Sequence, residues 1–219
     1  PAAPSAGGSF AVSNRTPVNR INASRPIDTY LRTDGFVMVS MFVASPSVIF
    51  AGSGGQGIQF SGKQMAKSGM YARYQVTFLP SYGPEMRGGT SNCTVVISDT
   101  EIGSPSVTTP DIAVVMNKPS FAKFEPRVAP GGKLFVDSTL VDLVSARDDI
   151  TVIALPATDM AEENGLVGFA NVILMGKIIR ETGLFTYDDF VSYLVGSIPP
   201  AKEALIEKNK KALSLGYNA

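Results

Sequence analysis

The chain has 219 residues, 44% of them hydrophobic, and its 19 basic and 19 acidic side chains cancel to a formal net charge of zero. This length supports one α/β domain with a sizeable core, and the balanced charge argues against a dedicated nucleic-acid-binding protein. The lack of histidine excludes Ser-His-Asp triads and histidine-ligated zinc, and the single cysteine, Cys93, excludes an internal disulfide or an iron–sulfur cluster held by these residues alone.

Residues 1–44 form a distinct N-terminal segment, rich in Ser, Asn, Arg and Pro and without any lysine. Three interpretations stay open: a transit peptide, a disordered or loosely packed extension, or residues translated upstream of a start at Met38 or Met41. We therefore place a single α/β domain at 45–219, with a helical tail from about residue 159. No stretch reaches the roughly 20 apolar residues of a membrane-spanning helix, and we expect a cytoplasmic protein.

A strand, a glycine turn and a helix form the first predicted unit. The apolar run Ser47–Ala51 predicts the strand, the segment Gly52-Ser53-Gly54-Gly55-Gln56-Gly57 the turn, and the following periodicity a helix ending near Gly69. The glycines at 52, 54 and 57 match the spacing of a dinucleotide-binding turn. The second predicted strand, Arg73–Leu79, lacks the acid that binds a ribose in that fold. A turn that lets a partner surface or another anionic ligand approach closely is the alternative.

A loop rich in proline and glycine follows the second strand over residues 80–89. If the order of strands is ordinary, this loop lies beside the glycine turn. The guanidinium of Arg87 can bind a phosphate or a carboxylate through two hydrogen bonds. Alternatively, Glu85 and Arg87 fix the loop and a protein interface. We favour the second interpretation, because loops with few side chains suit close docking of the backbone.

Five further strands are predicted, one of them short. The strand over 92–98 follows the second strand without an intervening helix, so we expect that pair to be antiparallel. It contains Cys93, which we interpret as an inert core thiol. A short strand around Glu101–Ile102 is also predicted. Apolar runs predict the remaining strands at 111–116, 133–137 and 151–155.

Helices are predicted at 119–128, 166–181, from the Thr186 cap to Leu194 and over 201–213. Asp188 and Asp189 lie at the start of the third of these helices, where the helix dipole stabilises negatively charged side chains. Alternating strands and helices predict an α/β three-layer α/β/α sandwich. Its sheet is expected to be mostly parallel with an antiparallel member.

Short motifs that occur in order along the chain resemble a known family. They are Gly-x-Gly-Gly-Gln-Gly-Ile at 52–58, Ser-Tyr-Gly-Pro-Glu-Met-Arg-Gly-Gly at 81–89, Val-Val-Ile-Ser-Asp at 95–99, Pro-Asp-Ile at 110–112, Met-Asn at 116–117, Phe-Glu-Pro at 124–126 and Pro-Gly-Gly at 130–132. Together they resemble the gamma subunit of the 2-oxoacid:ferredoxin oxidoreductases over about 47–182. The motif at 81–89 is closer to the 2-oxoglutarate or branched-chain 2-oxoacid type than to the pyruvate type.

The resemblance implies a subunit of an oxidoreductase complex that is not active alone. The complex would convert a 2-oxoacid, with 2-oxoglutarate favoured, to its acyl-CoA and pass electrons to ferredoxin. Thiamine diphosphate, Mg²⁺ and 4Fe–4S clusters would lie on alpha, beta and delta-type partner subunits, with coenzyme A as co-substrate. No cofactor on this chain alone, no membrane and no nucleic acid are expected.

The resemblance also implies which residues face a ligand or a subunit interface, and it assigns no catalytic residue and no metal ligand to this chain. The implied residues are Gly52, Gly54, Gly55, Gln56, Gly57, Tyr82, Gly83, Glu85, Arg87, Gly88 and Gly89. Two alternatives stay open: a free-standing NAD- or flavin-binding oxidoreductase of Rossmann type, and a non-catalytic nucleotide-binding scaffold module.

Overall fold

A mixed six-stranded sheet forms the centre of the computed structural model, which describes residues 45–81, 90–199 and 202–219. The order of strands across the sheet is β2-β3-β1-β4-β5-β6. Strands β1, β4, β5 and β6 are parallel, and β3 is antiparallel to both of its neighbours, as expected for the 92–98 strand. The strands are β1 (Ser47–Ser53), β2 (Gln75–Ser81), β3 (Thr90–Ser98), β4 (Ile112–Val115), β5 (Lys133–Asp137) and β6 (Thr151–Leu155).

Six α-helices accompany the sheet within the described ranges. They are α1 (Ile58–Tyr71), α2 (Lys118–Phe124), α3 (Ala157–Glu163), α4 (Ala170–Thr182), α5 (Tyr187–Gly196) and α6 (Ala204–Asn218). A single 3-10 turn, Glu125–Arg127, continues α2. None of the helices in this part of the chain is long and apolar enough to cross a bilayer.

The central strands separate two hydrophobic cores, because successive side chains point to opposite faces of a sheet. Phe50 and Val114 belong to a core shared with α1, α3, α4, α5 and α6. Ile49 and Val115 belong to a second core, which Phe121 of α2 helps to fill. The chain therefore adopts the predicted three-layer arrangement, with one heavily covered face and one face covered mainly by α2.

Gly69 does not end α1, contrary to the sequence prediction. The helix runs on to Tyr71, and the chain turns at Arg73, whose φ is +66°. A Cβ added to Gly69 would lie 2.8 Å from the Cγ2 atom of Val76 in β2. This glycine therefore serves the packing of α1 against the sheet.

Three other predictions from the sequence are also wrong. The buried helix begins at Ala170 and not at 166, because Gly168 adopts a φ of +88° that breaks a right-handed helix. The segment at Glu101–Ile102 forms no strand. The last helix covers Ala204–Asn218, whereas 201–213 was predicted.

Candidate functional site

The glycine turn lies at the carboxyl ends of the parallel strands and is closed by the side chain of Gln56. The Oε1 atom of Gln56 accepts a hydrogen bond from the backbone N–H of Ser53 at 2.6 Å. Its Nε2 atom donates to the carbonyl oxygen of Met116 at 2.9 Å. Gln56 therefore fixes the turn and joins it to the residue that follows β4.

Asn117 makes a second connection between the turn and the end of β4. Its Nδ2 atom donates to the Oγ atom of Ser53 at 2.7 Å, and its Oδ1 atom accepts from the backbone N–H of Ser120 at 2.8 Å. The second bond caps the N-terminus of α2. The Met-Asn motif at 116–117, which supported the family resemblance, thus has a local structural role.

Asn171 packs the first turn of α4 against the glycine turn. Its side chain is buried, and its Nδ2 atom donates to the carbonyl oxygen of Gly57 at 3.3 Å and to the Oγ atom of Ser61 at 3.2 Å. Gly57 has a φ of +75°, and a Cβ added there would lie 2.4 Å from the Nδ2 atom of Asn171. Only glycine satisfies both the backbone conformation and this contact.

A pocket of about 220 Å³ opens beside the glycine turn. Met116, Leu140, Ala161 and Val167 give it apolar walls. The polar part of its lining comes from Gln56, Thr158, Glu162 and Asn171. Pockets in open α/β sheets that bind ligands occur at this edge, outside the carboxyl ends of parallel strands.

The structure separates the predicted glycine-turn residues into different roles. Gly55 and Gln56 line the pocket, and Gly54 is exposed in the turn. Gly52 is buried within β1, where a Cβ would lie 2.6 Å from the Oε1 atom of Gln56. Gly57 contacts Asn171 and does not line the pocket. Of the five predicted residues at the turn, only Gly55 and Gln56 therefore line the pocket.

The other predicted site residues, namely Tyr82, Gly83, Glu85, Arg87, Gly88 and Gly89, lie outside the described residues. The strands on either side of them are described. Ser53, at the start of the glycine turn, pairs with Thr90 at the beginning of β3. Ser81, at the end of β2, pairs with Asn92. The chain therefore leaves β2 and enters β3 at the edge of the sheet that carries the glycine turn.

The position of β3 argues against the dinucleotide-binding interpretation of the turn. In that fold the first two strands and their helix form a parallel βαβ unit. Here the antiparallel β3 lies between β1 and β2. In a dinucleotide fingerprint the first glycine permits the tight turn before the pyrophosphate site. Here the side chain of Gln56 lies against that glycine, Gly52. The alternative of a free-standing NAD- or flavin-binding enzyme is therefore not supported.

Cys93 is a core residue. Its side chain is fully buried in β3, and its Sγ atom lies 3.5 Å from the carbonyl oxygen of Ile58. Burial raises the pKa of the Cys93 thiol to about 12, so the thiol stays protonated at neutral pH. Within the described ranges, no group of three or more His, Cys, Asp or Glu side chains is placed to hold a metal ion.

Sequence analysis missed three polar residues of the pocket: Thr158, Glu162 and Asn171. They follow the last strand and reach the glycine turn only through the packing of α3 and α4. The one available signal was Asn171 itself, a polar residue inside an otherwise apolar helix. Asn171 is buried and hydrogen-bonded, as expected of such a residue.

Comparisons with known proteins agree with this fold. Residues 47–219 match the family described as Pyruvate ferredoxin/flavodoxin oxidoreductase. The chain is 35% identical over 170 residues to the 2-oxoglutarate synthase subunit KorC of Methanocaldococcus jannaschii, a match that covers 76% of this chain and 89% of KorC. It is also 35% identical over 170 residues to the ketoisovalerate oxidoreductase subunit VorA of Methanothermobacter thermautotrophicus. That match covers 77% of this chain, which spans 35% of the length of VorA.

A solved structure shows the same fold. The gamma subunit of a keto/oxoacid ferredoxin oxidoreductase from Geobacter sulfurreducens PCA superposes with a TM-score of 0.71 at 28% sequence identity, covering 80% of this chain and 96% of that subunit. The resemblance to gamma subunits drawn from the sequence motifs is thereby confirmed. The chain belongs to the pyruvate ferredoxin/flavodoxin oxidoreductase family.

Proposed function

We propose that this chain is the gamma subunit of a multi-subunit 2-oxoacid:ferredoxin oxidoreductase. The complex decarboxylates a 2-oxoacid oxidatively, forms the acyl-CoA and passes the electrons to ferredoxin. The observation that carries the proposal is the family match over residues 47–219, which includes the glycine turn and the pocket beside it. Thiamine diphosphate, Mg²⁺ and the iron–sulfur clusters belong to the alpha, beta and delta-type partner subunits in this proposal.

The pocket beside the glycine turn faces coenzyme A in this proposal. Its apolar walls suit the uncharged, flexible arm of coenzyme A better than the phosphates of the nucleotide end. Of the described residues that line it, Glu162 is the charged one, and a carboxylate repels phosphate. The nucleotide end of coenzyme A therefore lies outside this pocket, toward a partner subunit.

Exposed apolar side chains near the pocket support a subunit interface at the same edge. Leu140 and Val167 both line the pocket, and they are 38% and 75% exposed. Large apolar side chains grouped at one edge of a protein mark a contact surface more often than a free one. We place the partner subunits against this edge, with the residues Tyr82, Gly83, Glu85, Arg87, Gly88 and Gly89 contributing to the contact.

Reconstitution of the complex with and without this chain tests the proposal. Partner subunits alone are expected to show no coenzyme A-dependent reduction of ferredoxin, because one wall of the site is missing, and this chain alone is expected to be inactive. The complete complex is tested with 2-oxoglutarate, 3-methyl-2-oxobutanoate and pyruvate, and 2-oxoglutarate is expected to give the highest kcat/KM. Full activity without this chain would contradict the proposal. A matched control omits the chain and adds it back as purified protein.

A further inference from the structure

A fully buried carboxyl group lies behind the wall of the pocket, at the end of β5. Asp137 is 0% exposed. Its Oδ2 atom accepts a hydrogen bond from the Oγ1 atom of Thr158 at 2.6 Å. Its Oδ1 atom accepts from the backbone N–H groups of Thr139 and Thr158, each at 3.3 Å. Asp137 thus binds the first turn of α3, whose own N-cap residue, Pro156, provides no side-chain cap.

The bond to Asp137 determines what the Thr158 hydroxyl can offer to the pocket. A threonine hydroxyl has one proton and two lone pairs, and a carboxylate can only accept. Because the proton of Thr158 is directed to Asp137, only the lone pairs of Oγ1 remain. Thr158 lines the pocket and is therefore a fixed hydrogen-bond acceptor.

The side-chain amide donors of the pocket lining have acceptors within the chain. The Nε2 atom of Gln56 donates to Met116, and the Nδ2 atom of Asn171 donates to Gly57 and Ser61. Glu162 adds a second acceptor at the exposed side. With apolar walls on either side, this arrangement is complementary to an apolar chain that carries an N–H or O–H group.

We propose that Asp137 is a positioning residue, which holds Thr158 as a hydrogen-bond acceptor and thereby selects a ligand with an N–H donor on an otherwise apolar chain. The inference rests on the proposed function, in which that ligand is coenzyme A. The pantetheine arm of coenzyme A carries two amide N–H groups separated by methylene groups. Thr158 accepts a hydrogen bond from one of them.

The test uses the reconstituted complex and measures the KM for coenzyme A. Thr158→Val keeps the size of the side chain but removes the acceptor, and we expect its KM to rise about tenfold, as for one hydrogen bond of about 1.4 kcal/mol. Thr158→Ser restores the hydroxyl, and with it most of the affinity. Thr151→Val makes the same chemical change at the far end of β6, where the side chain is exposed, and is expected to leave the KM unchanged.

Asp137→Asn separates positioning from a purely structural role. An asparagine can donate its own N–H to Oγ1 of Thr158, and the hydroxyl proton is then free to turn toward the pocket. The readout is the preference for coenzyme A over analogues in which one amide N–H is replaced by an ester oxygen. The complete complex with the native chain is expected to discriminate about tenfold against one of the two analogues, whereas Asp137→Asn and Thr158→Val are expected to lose that discrimination.

The outcomes distinguish this inference from the proposed function. If the native complex turns over coenzyme A but Thr158→Val leaves its KM unchanged, the inference is overturned and the proposed function stands. Equal discrimination by the native chain and Asp137→Asn would also overturn it. If the native complex shows no coenzyme A-dependent reaction, the proposed function fails and the inference fails with it.

Discussion

Replacing Gly216 by alanine is expected to destabilise the protein by about 3 kcal/mol, at the upper end of the usual range for an overpacked core. Gly216 lies in α6, and an added Cβ would stand 1.7 Å from the carbonyl oxygen of Ile173 in α4. The contact is reciprocal, since a Cβ on Gly176 would stand 2.2 Å from the carbonyl oxygen of Leu213. Because these neighbours are backbone atoms, no side-chain rotation relieves the overlap, and the two helices must separate.

Urea unfolding, followed by the reaction of the buried thiol of Cys93 with a colorimetric reagent, measures this effect. The sequence holds one cysteine, so the reaction reports directly on opening of the core. Gly196→Ala is the matched control, because Gly196 is the last residue of α5 and an added Cβ meets nothing within 4 Å. We expect the control to change the free energy of unfolding by less than about 0.5 kcal/mol. Equal losses in the two variants would contradict the close crossing of α4 and α6.

Replacing Gly57 by alanine is expected to destabilise the protein and to distort the pocket. The left-handed backbone at φ +75° costs a residue with a Cβ about 1–2 kcal/mol. The new Cβ would also displace Asn171, whose hydrogen bonds to Gly57 and Ser61 are each worth about 1 kcal/mol. We therefore expect a total loss of about 3 kcal/mol from these terms together.

Gly55→Ala separates the two causes. Gly55 also has a positive φ, +96°, but a Cβ added there meets nothing within 4 Å. Gly55→Ala is therefore expected to lower the free energy of unfolding only by the cost of the left-handed backbone, about 1–2 kcal/mol. A double-mutant cycle with Asn171→Ala measures the contact itself, and the combined loss with Gly57→Ala should be smaller than the sum of the single losses. Additive losses would show that Gly57 does not pack against Asn171.

The sequence predicted those parts of the fold that local patterns determine. Apolar runs located all six strands, and the missing helix between the second and third strands correctly indicated an antiparallel pair. Two of the errors arose at glycines. A side chain at position 69 would meet Val76, and no local pattern reveals this contact. The apolar residues from Leu166 onward fit a helical pattern, but the positive φ of Gly168 delays the start of the helix to Ala170.

The candidate site was only half accessible to sequence reasoning. Gly55 and Gln56 were identified because they belong to a recognisable turn, and they do line the pocket. Thr158 and Asn171 lie more than 100 positions further along the chain and join the turn through the packing of α3 and α4. Asp137 offered a weak signal, as an acid at the end of a buried strand, but its bond to Thr158 depends on the folded chain.

Hydrogen exchange in the assembled complex, measured with and without coenzyme A, tests most directly whether the glycine-turn edge of this chain faces that co-substrate. We predict slower exchange on adding coenzyme A in peptides that contain Gly55–Gln56 and in those that contain α3. Residues 99–110, which precede β4 at the opposite edge of the sheet, serve as the internal reference and should not change. Protection confined to the partner subunits, with unchanged exchange at Gly55–Gln56 and α3, would contradict the account.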